Sequence, residues 1–160
     1  MESAAAVRER DLDKRDRALE IFASKMHCSQ SVLAALSEEC GISEEQAYRL
    51  GSCFGSGMRK GEVCGACTGA LMALGLLYGE SHLGNSKERE LSNRINDTFM
   101  KRFKEANGSY LCNDLLGVDV STPEGVQQAR DKGLFTEFCP KMVASAVEII
   151  EEMMEEMEHD

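Results

Sequence analysis

Apolar residues recur at three- and four-residue spacing along most of the chain, and only two prolines, Pro123 and Pro140, interrupt this pattern. Such spacing places apolar side chains on one face of an α-helix, whereas a half-buried strand needs strict alternation. The chain has 160 residues, 42% of them apolar, so it can bury a substantial core. We therefore predict an all-α fold, a single-domain bundle of about five to seven helices over residues 1–160.

Local signals mark where individual helices begin and end. Ser43 and Gln46 have the spacing of a capping box, and Gly41 just before them suits a left-handed helix end. Thr122 followed by Pro123 is a typical helix start. Together with the glycine breaks, these signals predict helices over about 8–26, 28–40, 44 to 50 or 53, 64–79, 86–106, 110–116, 123–132 and from 140 onward.

The predicted helix at 64–79 is rich in small residues. Gly61, Gly65, Gly69 and Ala73 follow one another at four-residue spacing. A row of small residues lets two helix backbones approach closely. We therefore expect this Gly/Ala-rich helix to lie at the centre of the bundle, with Gly69 at a close contact.

The net charge of −10 is concentrated at one end of the chain. Residues 1–17 form a charged N-terminal segment of mixed sign, whereas the acidic helix end at 148–160 holds seven carboxylates and no Lys or Arg. No dense basic stripe is present, so nucleic acid is not expected as a partner. The methionines of the last helix follow its helical spacing, which favours packing in the core or at an interface over a metal site.

The first ten residues and the longest uncharged run indicate where in the cell the protein is expected to be located. The first ten residues lack the apolar stretch of a secretory signal, and the longest uncharged run, 63–79, is too short to span a membrane. These features favour a cytoplasmic protein without a membrane span. In a reducing compartment, clustered cysteines usually serve metal binding, catalysis or redox chemistry.

Several of the seven cysteines fall near predicted helix starts. Cys64 and Cys67 form a C-x-x-C pair where a glycine-rich loop enters the central helix, and Cys139 precedes Pro140 in the predicted N-cap position. Because a helix N-terminus stabilises a thiolate, we expect a lowered pKa at Cys64 and take Cys64 and Cys67 as candidate catalytic residues. Cys40 and Cys53 are expected to be core packing residues. Among the histidines, only His27, next to Cys28, is kept as an outside candidate.

The cysteines and glycines together resemble a known family. The relevant segments are Phe54 to Met58, Cys64 to Gly75, Leu111 to Gly117 and Cys139 to Val143, with Cys28 upstream. In this order they resemble the redox-active protein family that is named for its C_GCAxxG_C_C cysteine pattern. The resemblance places the four family cysteines at Cys28, Cys64, Cys112 and Cys139, and the glycine signature at Gly65 and Gly69. Cys67 falls on a variable position of the family pattern.

The resemblance implies a helical fold and cysteine-based redox activity, and it leaves the chemistry open. In one hypothesis, Cys28, Cys64, Cys112 and Cys139 bind an iron–sulfur cluster, zinc or another thiophilic metal for electron transfer, with Gly65 and Gly69 beside it. In the second, the protein is a metal-free thiol/disulfide redox protein with Cys64 as the attacking thiol and Cys67, Cys28, Cys112 or Cys139 as the resolving partner. In the third, it is a non-redox helical interaction module whose acidic, methionine-rich last helix docks on a partner. An unidentified redox partner protein and a homodimer are the partners that these hypotheses allow.

Overall fold

The computed structural model describes residues 13–159, and within this range it contains ten α-helices. The only strand-like pairing among these residues is an isolated antiparallel bridge between Val63 and Leu111. The all-α fold class is therefore confirmed. The helices are α1 Lys14–Ala23, α2 Cys28–Ala35, α3 Ser37–Cys40, α4 Glu44–Gly51, α5 Gly65–Tyr78, α6 Ser86–Asn107, α7 Cys112–Leu116, α8 Pro123–Asp131, α9 Leu134–Glu137 and α10 Cys139–Glu158.

Most helix limits follow the local capping signals. The Ser43 hydroxyl accepts a hydrogen bond of 3.1 Å from the Gln46 amide at the start of α4, and Gly41 takes the left-handed conformation with φ 73°. The Thr122 hydroxyl likewise accepts from the Gly125 amide at 3.0 Å. The predicted helix start near residue 8 lies outside the described residues, as does most of the charged segment 1–17. Within the described range, Asp13 caps α1 through a bond of 2.7 Å from the Asp16 amide.

The ten helices exceed the expected five to seven, and two features account for the difference from the eight helical segments that the local signals predict. The predicted helix at 28–40 breaks at Leu36, where ψ of 7° interrupts the α-helical path and separates α2 from α3. The short helix α9 lies in a segment where no helix is predicted, and it starts at Gly133 in a left-handed conformation with φ 68°. Both features are single-turn adjustments, which apolar periodicity does not resolve.

The Gly/Ala-rich helix α5 is the central element, as predicted, and it packs against α2, α3, α6 and α10. A Cβ atom at Gly69 would lie 2.5 Å from the Ser29 carbonyl oxygen, so the absence of a side chain allows the backbones of α2 and α5 to approach. The side chains of α5 that face these neighbours are fully buried, among them Ala66, Cys67, Ala70 and Ala73.

The last helix, α10, contributes one face to the core and the other to solvent. Its buried residues include Met142, Val143, Ile150 and Met153, so two of its methionines lie on the apolar stripe. On its exposed face, Arg15 pairs with Glu148 at 3.1 Å, and Arg102 pairs with Glu152 and Glu156 at 3.3 and 2.9 Å. Basic residues of α1 and α6 therefore neutralise part of the acidic helix end. No helix within 13–159 combines the length and apolarity needed to cross a membrane.

The buried apolar residues form two clusters. The larger one is built on α1, α2, α5, α6 and α10 and includes Cys64 and Cys67. The smaller one contains Cys112, Leu116, Val120 and Ala129, with Cys139 packed against it. Phe138 contacts both clusters. The junction between them is where the four family cysteines meet.

Candidate functional site

A cavity of about 750 Å³ lies at this junction, and Cys28, Cys64, Cys112 and Cys139 all line it. Each of the four is at a helix start. Cys28, Cys112 and Cys139 are the first residues of α2, α7 and α10, and Cys64 is the N-cap of α5. Cys139 thus lies one residue inside its helix, because Phe138 and not Cys139 occupies the N-cap position.

The Val63–Leu111 bridge brings the start of α5 to the start of α7. The Cys64 amide donates to the Tyr110 carbonyl at 2.8 Å, and the Cys112 amide donates to the Glu62 carbonyl at 2.6 Å. These two bonds flank the bridge and hold the backbones of two distant segments in register. Cys64 and Cys112 reach the same cavity for this reason.

A left-handed turn leads into this bridge. Ser56, Met58 and Arg59 have φ of 54°, 58° and 60°, and Gly57 between them has φ 60°. Non-glycine residues adopt this conformation at a cost of about 1–2 kcal/mol each. The turn directs the Ser56 amide to the sulfur of Cys28, which also accepts from the Ser29 amide.

Gly65 makes room for the sulfur of Cys28. A Cβ atom at Gly65 would collide with Cys28 Sγ and would lie 3.1 Å from the Phe54 carbonyl oxygen. Gly65 also lines the cavity, whereas Gly69 does not and packs on Ser29 instead. The two glycines of the signature therefore have different roles. Gly65 leaves space for the sulfur of Cys28, and Gly69 allows α2 and α5 to pack closely.

Three sulfurs that influence one another's ionisation form a row that begins at the cavity. Cys28 and Cys64 affect each other's pKa, and Cys67 affects that of Cys64. Cys67 is fully buried and does not line the cavity. The C-x-x-C pair thus has one thiol at the cavity wall and one thiol behind it.

The expected lowering of the Cys64 pKa is wrong for this fold. The neighbouring Cys28 thiol lowers the pKa, but the Cys67 thiol and burial together raise it by more, and the net result lies well above the ordinary value. The Ala66 amide at the helix start opposes this change only in part. At Cys28, the neighbouring Cys64 thiol is the largest cause of a strongly raised pKa, followed by burial.

The two cysteines of the smaller cluster are also held in the thiol form. Burial, followed by the neighbouring sulfur of Cys28, raises the pKa of Cys112 to about 12. The same causes, with Cys112 as a further neighbour, raise the pKa of Cys139 to about 12. The mutual effect of these groups shows that the four sulfurs are close enough to influence one another's ionisation.

The remaining cysteines lie away from the cavity. Cys40 packs against the core with its sulfur 3.6 Å from the Ala73 carbonyl, as expected, and burial followed by Glu39 raises its pKa to about 11. Cys53 is exposed, so its expected core position is wrong. The helix α4 ends at Gly51, two residues earlier, and Cys53 falls in the solvent-facing turn that follows.

Sequence reasoning missed three groups at the site. Lys25 and Arg130 line the cavity, and the Ser56 amide contacts Cys28. The glycines around Ser56 indicate an unusual turn. No pattern in the neighbouring sequence marks Lys25 or Arg130 as residues of a site. His27, the outside candidate, does line the cavity, with its ring packed over Gly55.

The four cavity thiols match a metal site in ligand type but not in arrangement. Four thiols on one cavity are the ligand type and number typical of iron–sulfur clusters. Among residues 13–159, however, no three His, Cys, Asp or Glu side chains are arranged to share a metal ion. The residue types therefore suit a thiophilic group, and the positions of the thiols do not form a site for one ion.

The comparisons with known proteins agree with the cysteine pattern. The model of the family described as "Putative redox-active protein (C_GCAxxG_C_C)" matches residues 26–153, most of the chain. Searches of curated proteins and of solved structures gave no match. Since the match covers all four cavity cysteines, the chain belongs to the C_GCAxxG_C_C family of redox-active proteins.

Proposed function

We propose that the protein is a thiol/disulfide redox protein in which Cys28 and Cys64 form a reversible disulfide. The observation that supports this pairing is that the two thiols line the same cavity beside Gly65 and affect each other's ionisation. Two cysteines can form a disulfide only where their side chains approach each other. Redox activity is the property of the family to which the chain belongs.

The reaction is an exchange with a disulfide of a partner molecule. The Cys64 thiolate attacks one sulfur of the partner, whose other sulfur leaves as a thiolate. Cys28 then loses its proton and attacks Cys64 in the mixed disulfide, which releases the second thiolate. The protein loses two electrons and two protons, the partner gains them, and the net products are a Cys28–Cys64 disulfide and two thiols.

We assign Cys64 as the attacking thiol because Cys28 lowers the pKa of Cys64, whereas Cys64 raises the pKa of Cys28. The Ala66 amide also lowers the pKa of Cys64. Cys67 and burial still keep the Cys64 thiol protonated at neutral pH, so the exchange requires a base or a rise in pH. Cys67 is the alternative resolving thiol, since it contacts the same sulfur from the buried side.

A second candidate is an iron–sulfur cluster, which the convergence of four cysteines on one cavity favours. Cys28, Cys64, Cys112 and Cys139 would hold it, and it would supply one-electron transfer. The amides of Ser29, Ser56 and Ala66 already face two of these sulfurs and would also donate to ligated thiolates. The four side chains would have to reorient toward a common centre.

One anaerobic preparation distinguishes these chemistries. We expect seven titratable thiols in the reduced protein, five after treatment with oxidised dithiothreitol, and a Cys28–Cys64 bridge in peptide mapping. Cys64→Ser should abolish the loss of thiols, whereas Cys40→Ser should preserve it. In Cys28→Ser, a Cys64–Cys67 bridge is expected instead.

Iron in stoichiometric amount, with broad absorption beyond about 400 nm that Cys112→Ser removes, would favour the cluster. Seven thiols that stay free under oxidation, without bound metal, would contradict both chemistries.

A further inference from the structure

The wall of the thiol cavity carries positive charge only. Lys25 and Arg130 line it, and none of the described residues that line it is Asp or Glu. This is notable in a chain with 28 acidic residues and a net charge of −10. A cavity with charge of one sign raises the local concentration of ligands of the opposite sign.

Neither cation is neutralised by an ion pair with another residue in the range 13–159. Arg130 donates to the neutral Gln127 side chain at 3.2 Å. Lys25 lies just after α1 with φ 72°, a conformation that is unfavourable for a residue with a side chain. By contrast, Arg15, Arg89 and Arg102 on other surfaces pair with carboxylates.

The rest of the wall is mainly apolar and aromatic. Its volume of about 750 Å³ is in the range of small-molecule sites, which typically combine apolar walls with a few polar groups. Cys64 and Cys28 are part of the same wall, so a ligand held there is next to the reactive pair. The apolar part of the wall includes Leu19, Phe22, Leu115, Phe135 and Phe138.

We infer that this cavity binds a small organic disulfide with an apolar body and a negative charge, which Lys25 and Arg130 recognise. The inference rests on the proposed function and specifies its substrate class. In the reaction, Cys64 attacks the bound disulfide, one half leaves as a thiolate, and Cys28 displaces the other half. The protein is oxidised to the Cys28–Cys64 disulfide, and the ligand is reduced to two thiols.

The test compares three disulfides that differ in charge. The probes are DTNB, an aromatic disulfide with two carboxylates, dithiodipyridine, a neutral aromatic disulfide, and cystamine, a dication. The protein carries Cys40→Ser and Cys53→Ser, which remove thiols outside the cavity without altering its wall. Each second-order rate is divided by the rate of the same probe with mercaptoethanol, which corrects for intrinsic reactivity.

We expect the corrected rate to be highest for DTNB and lowest for cystamine. Lys25→Gln and Arg130→Gln should each lower the corrected DTNB rate about threefold or more and change the dithiodipyridine rate less than about twofold. Arg94→Gln is the matched control, since Arg94 is an exposed arginine of α6 that does not line the cavity. Salt should weaken the preference for DTNB.

Equal corrected rates for the three probes, or equal effects of Arg130→Gln and Arg94→Gln, would overturn the inference while the dithiol chemistry stands. Failure of all three probes to form the Cys28–Cys64 disulfide would overturn the proposed function and the inference together.

Discussion

At the scale of single residues, Gly65 determines where the sulfur of Cys28 can lie. The space that a Cβ would fill at this position is occupied by Cys28 Sγ, and the Ser29 amide is 3.2 Å from the same point. A side chain here must displace either the sulfur or the backbone at the start of α2. The position of the Cys28 sulfur beside Cys64 depends on the absence of a side chain at Gly65.

Gly65→Ala is expected to lower the free energy of unfolding by about 1–3 kcal/mol, as overpacking does, and to slow formation of the Cys28–Cys64 disulfide. Urea titration and thiol counting measure the two effects. Gly75→Ala is the control in the same helix, because a Cβ there meets nothing within 4 Å. It should stabilise the protein by about 0.5–1 kcal/mol. Unchanged stability and oxidation in Gly65→Ala would contradict the role of this glycine.

At the scale of elements, the site depends on two backbone contacts between segments far apart in the chain. One is the approach of α2 to α5 at Ser29 and Gly69, and the other is the bridge between Val63 and Leu111. The Ser29 hydroxyl also donates to the Gly51 carbonyl at 2.7 Å, which ties the same turn of α2 to the end of α4. These contacts leave little freedom for α2 to move away from α5.

Gly69→Leu should therefore destabilise the protein by about 1–3 kcal/mol or more, because its side chain meets backbone rather than a flexible neighbour. Chemical denaturation followed by circular dichroism measures the change. The same substitution at Gly75, which faces open space, should have a much smaller effect. If the two leucine variants were equally stable, close packing of α2 and α5 at Gly69 would be refuted.

At the scale of the whole molecule, the fold keeps several cysteines in the neutral thiol form. The pKa of Cys112 and Cys139 is about 12 and that of Cys40 is about 11, all above the value of about 8.5 for a solvated thiol. Below pH of about 8, the folded and unfolded states are both protonated at these groups. Above it, the unfolded chain releases protons that the folded chain retains, so rising pH favours unfolding.

The reduced protein is accordingly expected to lose stability between pH of about 8.5 and 10, by up to about 1.4 kcal/mol per pH unit for each raised thiol. Urea unfolding under reducing conditions, repeated across this range, measures the slope. The double variant Cys112→Ala/Cys139→Ala should show a shallower slope than the parent chain. A slope that the double variant leaves unchanged would contradict the raised pKa values of these two thiols.

The sequence by itself determined the features that depend on a few neighbouring residues. The capping box at Ser43, the left-handed end at Gly41 and the position of Cys64 at the start of α5 all follow from hydrogen bonds within one helical turn. The all-α class follows from apolar spacing, which is also local. The convergence of four cysteines was expected only from family resemblance.

Only the tertiary structure decided how the thiols behave. Cys28 lowers the pKa of Cys64, but Cys67 and burial together outweigh it, and the helix N-terminus that the sequence reveals is the weaker influence. Lys25 lies in the turn after α1 and Arg130 on α8, and they line one cavity where the two apolar clusters pack together. Burial and contacts between distant segments decide both ionisation and the charge of the cavity, and neither is encoded in local spacing.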